Sequence, residues 1–200
     1  MRASIENPRR IVVKAGTSIL RGGRGERSPF ARIAAETAEL LRERRQIALV
    51  SSGAIAFGLR ALGLRSRPRR MARLQACAAV GQARLMRAWE EAFSPKDLLP
   101  AQILLTRDAL ESRPRFLAAR RTFEELFRLG AVPVVNENDS VSTEEIAFGD
   151  NDLLAVQVAH LLRADLVVLL SDVDGFRRLD GSRVAEVAGE VGYESEPSFN

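Results

Sequence analysis

The chain has 200 residues, 46 % hydrophobic and 28 % charged, the proportions of one soluble globular domain. Its formal charge is +4 and its sequence pI near 10.1, while a single cysteine (Cys77) and a single histidine (His160) exclude an intrachain disulfide and a Cys/His zinc site by counting. The opening MRASIENPRR lacks the apolar core of a signal peptide, and the longest apolar runs, such as DLVVLLSDV, are far too short to cross a bilayer, so a cytoplasmic protein with no membrane partner is expected.

Short β-branched runs alternate with helical patterns, which predicts an α/β fold with a mostly parallel central sheet sandwiched by helices. The expected strands are RIVVK (10–14), IALVS (47–51), QILLT (102–106), VPVVN (132–136) and DLVVLLS (165–171). Their near-continuous apolar character is that of strands covered on both faces. Ser28 and Pro29 start a helix that runs to about Arg45, by cap and first-turn chemistry. Further helices are expected over roughly 70–93, after Pro114, and from about Asp150 to Arg163, with His160 a structural residue on the last of them.

Basic residues number thirty, and only Lys14 and Lys96 among them are lysines. The arginines are scattered beside glutamates (LLRERR) or bunched without interleaved aromatics (RPRRMARLQ). That pattern is one of compositional bias, and no nucleic-acid partner is expected. Against this background Lys14 stands out.

The residues at the strand exits carry the chemistry. The five exits are Lys14-Ala15-Gly16-Thr17-Ser18, Ser51-Ser52-Gly53, Thr106-Arg107-Asp108, Asn136-Glu137-Asn138-Asp139 and Ser171-Asp172. In an open parallel sheet these C-terminal ends share one edge, where ligands of such folds bind. Lys14 with Gly16, Thr17 and Ser18 suits phosphate oxygens, although it is neither a Walker A loop nor a GxGxxG turn and reads equally as a tight strand exit. Ser52 and Gly53 at a helix start suit an anion, or merely cap the helix. Asp172 suits Mg²⁺ or a nucleotide, or is a turn aspartate. The stretch NENDSVSTEEIAFGDND (136–152) holds Glu137, Asp139, Glu144, Glu145, Asp150 and Asp152 without one basic residue. Alone it is an acidic surface turn. On a rim shared with a phosphate-type lysine and a Ser-Gly turn, it suits phosphoryl transfer to a zwitterion, with Asp139 and Asn151 for an ammonium group.

Together VVKAGTSIL, SSGAIAFG, AAVGQARL, LLTRDALESRPRFLAARRTF, PVVNENDSVSTEEIAFGDND and LLSDVDGF resemble the glutamate 5-kinase family of the amino acid kinase superfamily, in order from about residue 10 to 187. The resemblance implies a three-layer αβα kinase domain spanning residues 1–200 that phosphorylates the side-chain carboxylate of L-glutamate, with ATP and Mg²⁺, as the first step of proline biosynthesis. By motif position it implies catalytic Lys14, Asp152 and Asp150; glutamate on Ser52, Gly53, Asp139 and Asn151; and ATP on Lys14, Gly16, Thr17, Ser171 and Asp172, with no directly liganded metal assigned. It also implies proline as a feedback inhibitor and a homo-oligomer.

Ala15 stands where the family usually has a larger apolar residue, and Ala118 where it often has Asn. The family's kinase domain normally continues with a glycine-rich loop and a second lysine, and many members add a PUA domain. The expectation is therefore a domain incomplete at its C-terminus and without a PUA domain. Two alternatives are another kinase of the superfamily, acting on a different acid, and a truncated non-catalytic remnant that binds glutamate or proline.

Overall fold

The computed structural model describes residues 7–21, 28–106, 110–141, 151–173, 175 and 182–184. Strands β1 (Arg10–Ala15), β2 (Gln46–Ser51), β3 (Leu99–Leu105), β4 (Ala131–Glu137) and β5 (Leu166–Leu170) form one sheet in the order β3-β4-β2-β1-β5. Every neighbouring pair is parallel. The helices are α1 (Thr17–Arg21), α2 (Pro29–Arg42), α3 (Ala54–Ala61), α4 (Met71–Phe93), α5 (Arg113–Arg128) and α6 (Asn151–Leu162). The five expected strands are all present, as is the α/β architecture.

Differences from the expected boundaries have physical causes. β3 begins at Leu99, three residues before Gln102, and includes Pro100, which this position tolerates because β3 lies at the sheet's edge. The helix after Pro29 ends at Arg42 instead of Arg45, because Arg44 turns the chain with a positive φ of 62°. Ser28 precedes that helix without a side-chain cap bond, so Pro29 in the first turn is the start signal that operates.

Alternation along the strands sends their side chains to two cores. On one face Ile11, Ile47, Leu49, Val132 and Val134 pack with Phe30 and Ile33 of α2 and with Leu85, Trp89 and Phe93 of α4. On the other, Val12, Ala48, Val50 and Val135 pack with Phe123 of α5 and with Leu154, Val158, Leu161 and Leu162 of α6. The connections leaving β1 and β2 thus cover the first face, and those leaving β3 and β4 the second. β2 and β4 are neighbours whose connections depart to opposite faces, which opens a crevice beyond their C-terminal ends. The opposite edge is closed: Arg10 pairs bidentately with Glu124 and donates to the Leu162 carbonyl, while Asp165 accepts the backbone N–H of Arg9 and Arg10.

Helix α3 is set in place by glycine. A Cβ on Gly81 would stand 1.7 Å from the Ala54 carbonyl oxygen, and one on Gly58 would stand 1.8 Å from that of Cys77, so α3 and α4 touch backbone to backbone. Any side chain there would drive the first turn of α3 away from α4. The variant Gly81→Ala is expected to lower stability by about 1–3 kcal/mol, or roughly 5 °C in Tm, as read by thermal denaturation. An unchanged Tm would mean that the two helices separate freely.

Candidate functional site

The crevice between β2 and β4 is floored by side-chain amides. Asn151, the first residue of α6, is buried and donates through Nδ2 to the Ser51 carbonyl (2.8 Å) and to Asn136 Oδ1 (2.9 Å). Asn136 Oδ1 also accepts the backbone N–H of Glu137, and its Nδ2 donates to Gln82 Oε1 at 2.8 Å. The Ser51 hydroxyl accepts the indole N–H of Trp89 at 3.0 Å. The exits of β2 and β4 and the start of α6 are thereby joined by hydrogen bonds away from water, where such bonds are strong.

Anchoring Asn151 carries the next residue, Asp152, to the end of β1. There Lys14, only 8 % exposed, pairs with Asp152 at 2.5 Å. Asp152 remains half exposed and looks onto the rim. Lys14 Nζ lies 3.4 Å from the position a Cβ on Gly16 would take, so the ammonium sits over the β1 exit. The neighbouring β5 exit carries Ser171 and Asp172, both exposed, since Ala15 pairs with Leu170.

On the other side of β1, the Ser52 N–H donates to the Ala15 carbonyl at 3.2 Å, which holds the β2 exit against β1. Gly53 follows with φ of 106°, a left-handed conformation that opens α3 and turns its first N–H groups to the rim. Thr17 lies beside it: a Cβ on Gly53 would be 3.9 Å from Thr17 Oγ1. Lys14, Gly16, Thr17, Ser52, Gly53 and Asp152 therefore converge around one point, with a fixed cation, a helix N-terminus and an exposed carboxylate.

Asp139 lies where the β4 exit meets α4 and the start of α3. It lines a small cavity with Gln82, Ala54, Glu137 and Asn138. Burial pushes its carboxyl up to about 6; the Glu137 charge adds to the rise and Arg67 opposes it. Asn151, expected with Asp139 on an ammonium group, uses its Nδ2 within the amide floor, and its Oδ1 is the atom that could accept from an ammonium. Asp150, Glu144 and Glu145 lie outside the described residues. No group of three His, Cys, Asp or Glu side chains that could hold a metal occurs among the described residues. Magnesium bound chiefly by nucleotide phosphates needs only one or two carboxylates, which Asp152 and Asp172 can supply.

Sequence reasoning left Asn136 and Gln82 without a role. Gln82 carried a signal, for it sits on the stripe of α4 defined by Ala78 and Leu85, where an apolar residue is expected.

A parallel sheet with a crevice at its strand ends, a lysine at the first strand's end and a glycine-opened helix mark this edge, and the amino acid kinase family model matches residues 9–197. The chain belongs to the amino acid kinase family. It is 51 % identical over 173 residues to the glutamate 5-kinase of Thermus thermophilus, covering 86 % of this chain and 47 % of that protein. It is 48 % identical over 200 residues to the glutamate 5-kinase of Caulobacter vibrioides, covering 94 % and 53 %, and 52 % identical over 179 residues to that of Anaeromyxobacter dehalogenans, covering 87 % and 47 %. The chain spans about half the length of the curated relatives it matches.

Asp139 gives a pH-dependent signature. Its folded pKa of about 6 exceeds the ordinary 3.8, so the folded state binds its proton more tightly, and its contribution to stability is lost as pH rises from about 4 through 6. The variant Asp139→Asn is expected to be more stable than the parent at pH 7, with the difference closing toward pH 4, as measured by urea unfolding across that range. A difference independent of pH would contradict the burial of this carboxyl.

Proposed function

We propose that this chain transfers the γ-phosphoryl group of ATP to the side-chain carboxylate of L-glutamate, forming glutamate 5-phosphate and ADP in the first step of proline biosynthesis. The observation that carries this reading is the buried Lys14, paired with Asp152 at a β1 exit whose Thr17 lies beside Gly53 at the start of α3. The names of the relatives support the choice of glutamate among the acids a kinase of this family accepts.

The acceptor carboxylate is already ionised at neutral pH, so the reaction needs no general base. A carboxylate oxygen forms a bond to the γ-phosphorus as the bond from phosphorus to the ADP oxygen breaks. The obstacle is the approach of one anion to another, and the remedy is fixed positive potential. Lys14 supplies a charge to the transferring oxygens. The backbone N–H groups after Gly53, and the hydroxyls of Ser52 and Thr17, receive anionic oxygens on the other side. Asp152 orients the Lys14 ammonium and, with Asp172 or Asp150, would offer carboxylate to a magnesium ion, which would neutralise phosphate charge. Gly16 and Ser171 border the nucleotide, Asp139 takes the α-ammonium, and Asn151 holds the crevice in shape. The same reading makes residues 1–200 one kinase-type domain acting in the cytoplasm as a homo-oligomer, with proline as an inhibitor.

An acyl-phosphate trap tests this. With ATP, Mg²⁺ and hydroxylamine, the chain is expected to form glutamyl hydroxamate from L-glutamate and none from N-acetylglutamate, which lacks the ammonium. Lys14→Ala is expected to lower the rate about 100-fold or more, the usual cost of removing a fixed charge from a phosphoryl or oxyanion site. Equal product from both acids, or none from glutamate, would overturn the assignment.

A further inference from the structure

We infer that Gln82 is a substrate-binding residue whose side-chain amide donates to the α-carboxylate of the amino acid acceptor, beside Asp139. This rests on the reading of the site as one for L-glutamate and assigns the group that recognises the head of that substrate.

The orientation of the Gln82 amide is set by backbone atoms, which cannot exchange donor for acceptor. The Glu137 N–H can only donate, so the Asn136 atom it meets is an oxygen, and the other end of that amide is therefore the nitrogen. Asn136 Nδ2 in turn meets Gln82 at 2.8 Å, which makes the contacting atom of Gln82 its oxygen. The Ser51 carbonyl, which can only accept, sets the Asn151 amide in the same consistent sense. The remaining end of Gln82 is consequently an NH₂ group. It is enclosed, and it has no hydrogen-bond partner among the described residues.

A buried donor left unpaired costs stability, and most such groups in folded proteins are paired. The Gln82 oxygen serves Asn136, but its nitrogen serves no group among the described residues. Gln82 also lines the cavity that holds Asp139 and Glu137, a space of about 20 Å³, enough for one oxygen-sized group. The other walls, Ala54, Ala78, Ala79, Leu104, Asn138 and Ser140, give that nitrogen no hydrogen-bond partner, and neither do Asp139 and Glu137. The missing partner is an acceptor brought by the ligand.

Its chemistry is dictated by the neighbours. An isolated carboxylate would be repelled by Asp139 and Glu137. A carboxylate attached to the same carbon as an ammonium is not, because the ammonium meets Asp139 while the carboxylate oxygen meets Gln82. Arg67, whose charge reaches Asp139, further offsets the acidic wall. An α-amino acid head fits this pair of groups, which leaves its side-chain carboxylate to extend along the β2 exit toward Gly53 and Lys14.

γ-Aminobutyrate provides the test, being glutamate without its α-carboxylate. Binding of L-glutamate and of γ-aminobutyrate is measured by calorimetry for the parent chain and for Gln82→Glu. The substituted carboxylate still accepts from Asn136 Nδ2 but cannot donate. The parent is expected to prefer glutamate. Gln82→Glu is expected to lose about 10- to 100-fold in glutamate affinity, the range for a hydrogen bond to a charged group, with γ-aminobutyrate affinity little changed. Gln82→Met, which adds no charge, is expected to show the same selective loss, and keeps the test open if the glutamate variant does not fold. Equal losses for both ligands in either folded variant, or no loss for glutamate, would overturn the role of Gln82 alone. A parent chain that binds neither compound would overturn the glutamate reading and this inference with it.

Discussion

The side chain of Asn151 ties the molecule together at its working edge. β2 and β4 pair over only two registered positions, Leu49 with Val134 and Val50 with Val135, before their chains part toward opposite faces. Beyond that point nothing in a parallel ladder keeps the two exits together. The Asn151 amide does so by donating to the Ser51 carbonyl and to Asn136 Oδ1 at once. Because Asn151 is also the first residue of α6, the same bonds fix where that helix begins and hence where Asp152 reaches Lys14. Loss of this amide would take a donor from the buried Ser51 carbonyl, leave Asn136 Oδ1 with the Glu137 N–H alone, and free the partner of a buried lysine.

That lysine explains why the edge is built so firmly. A buried ammonium is costly, and its attraction to one carboxylate does little more than offset the desolvation, so the pair is poor evidence of a device for stability. The other edge offers a contrast. There Arg10 is satisfied on several sides, by Glu124, Gln46 and the Leu162 carbonyl, and its guanidinium lies 5.3 Å from the Phe127 ring centroid. The carboxylate that pairs with Lys14, that of Asp152, is half exposed. A cation held this way keeps coordinating capacity for an anion arriving from the rim, the condition that electrostatic preorganisation requires.

Much of this was legible in the sequence, because the signals were local. The five strands announced themselves as apolar runs, the helix after Pro29 by its proline, and the rim by the polar residues that end each strand. Lys14, Gly16, Gly53 and Asp152 were singled out by residue type at a strand or helix end, and they do converge. The pairing of Asn151 with Asn136 was not legible, since it joins residues on either side of a long acidic stretch and depends on how β4 and α6 meet. Asp139 and Asn151 were grouped because they are near in sequence. In the fold Asp139 lines the cavity with Gln82, and Asn151 bonds to Asn136, whose amide bonds to the same Gln82. Gln82 was hidden for a different reason: a lone glutamine on an apolar helix stripe is visible, but its meaning lies in which of its two ends is occupied.

The two glycines of the α3–α4 contact complete the logic. A helix N-terminus is useful to an anion only if it cannot retreat, and backbone contact at Gly81 removes the slack between α3 and the long helix behind it. That long helix also carries Gln82, the residue after Gly81, and Trp89, which donates to the Ser51 hydroxyl. One rigid element thus sets the N–H groups at Gly53, the amide floor and the cavity beside Asp139 at fixed separations. In the proposed reaction those are the two ends of the acceptor: its head at Gln82 and Asp139, its reacting carboxylate at Gly53 and Lys14. A ruler of this kind selects chain length as well as charge. In that proposed reaction an acid one methylene shorter is expected to satisfy one end at a time.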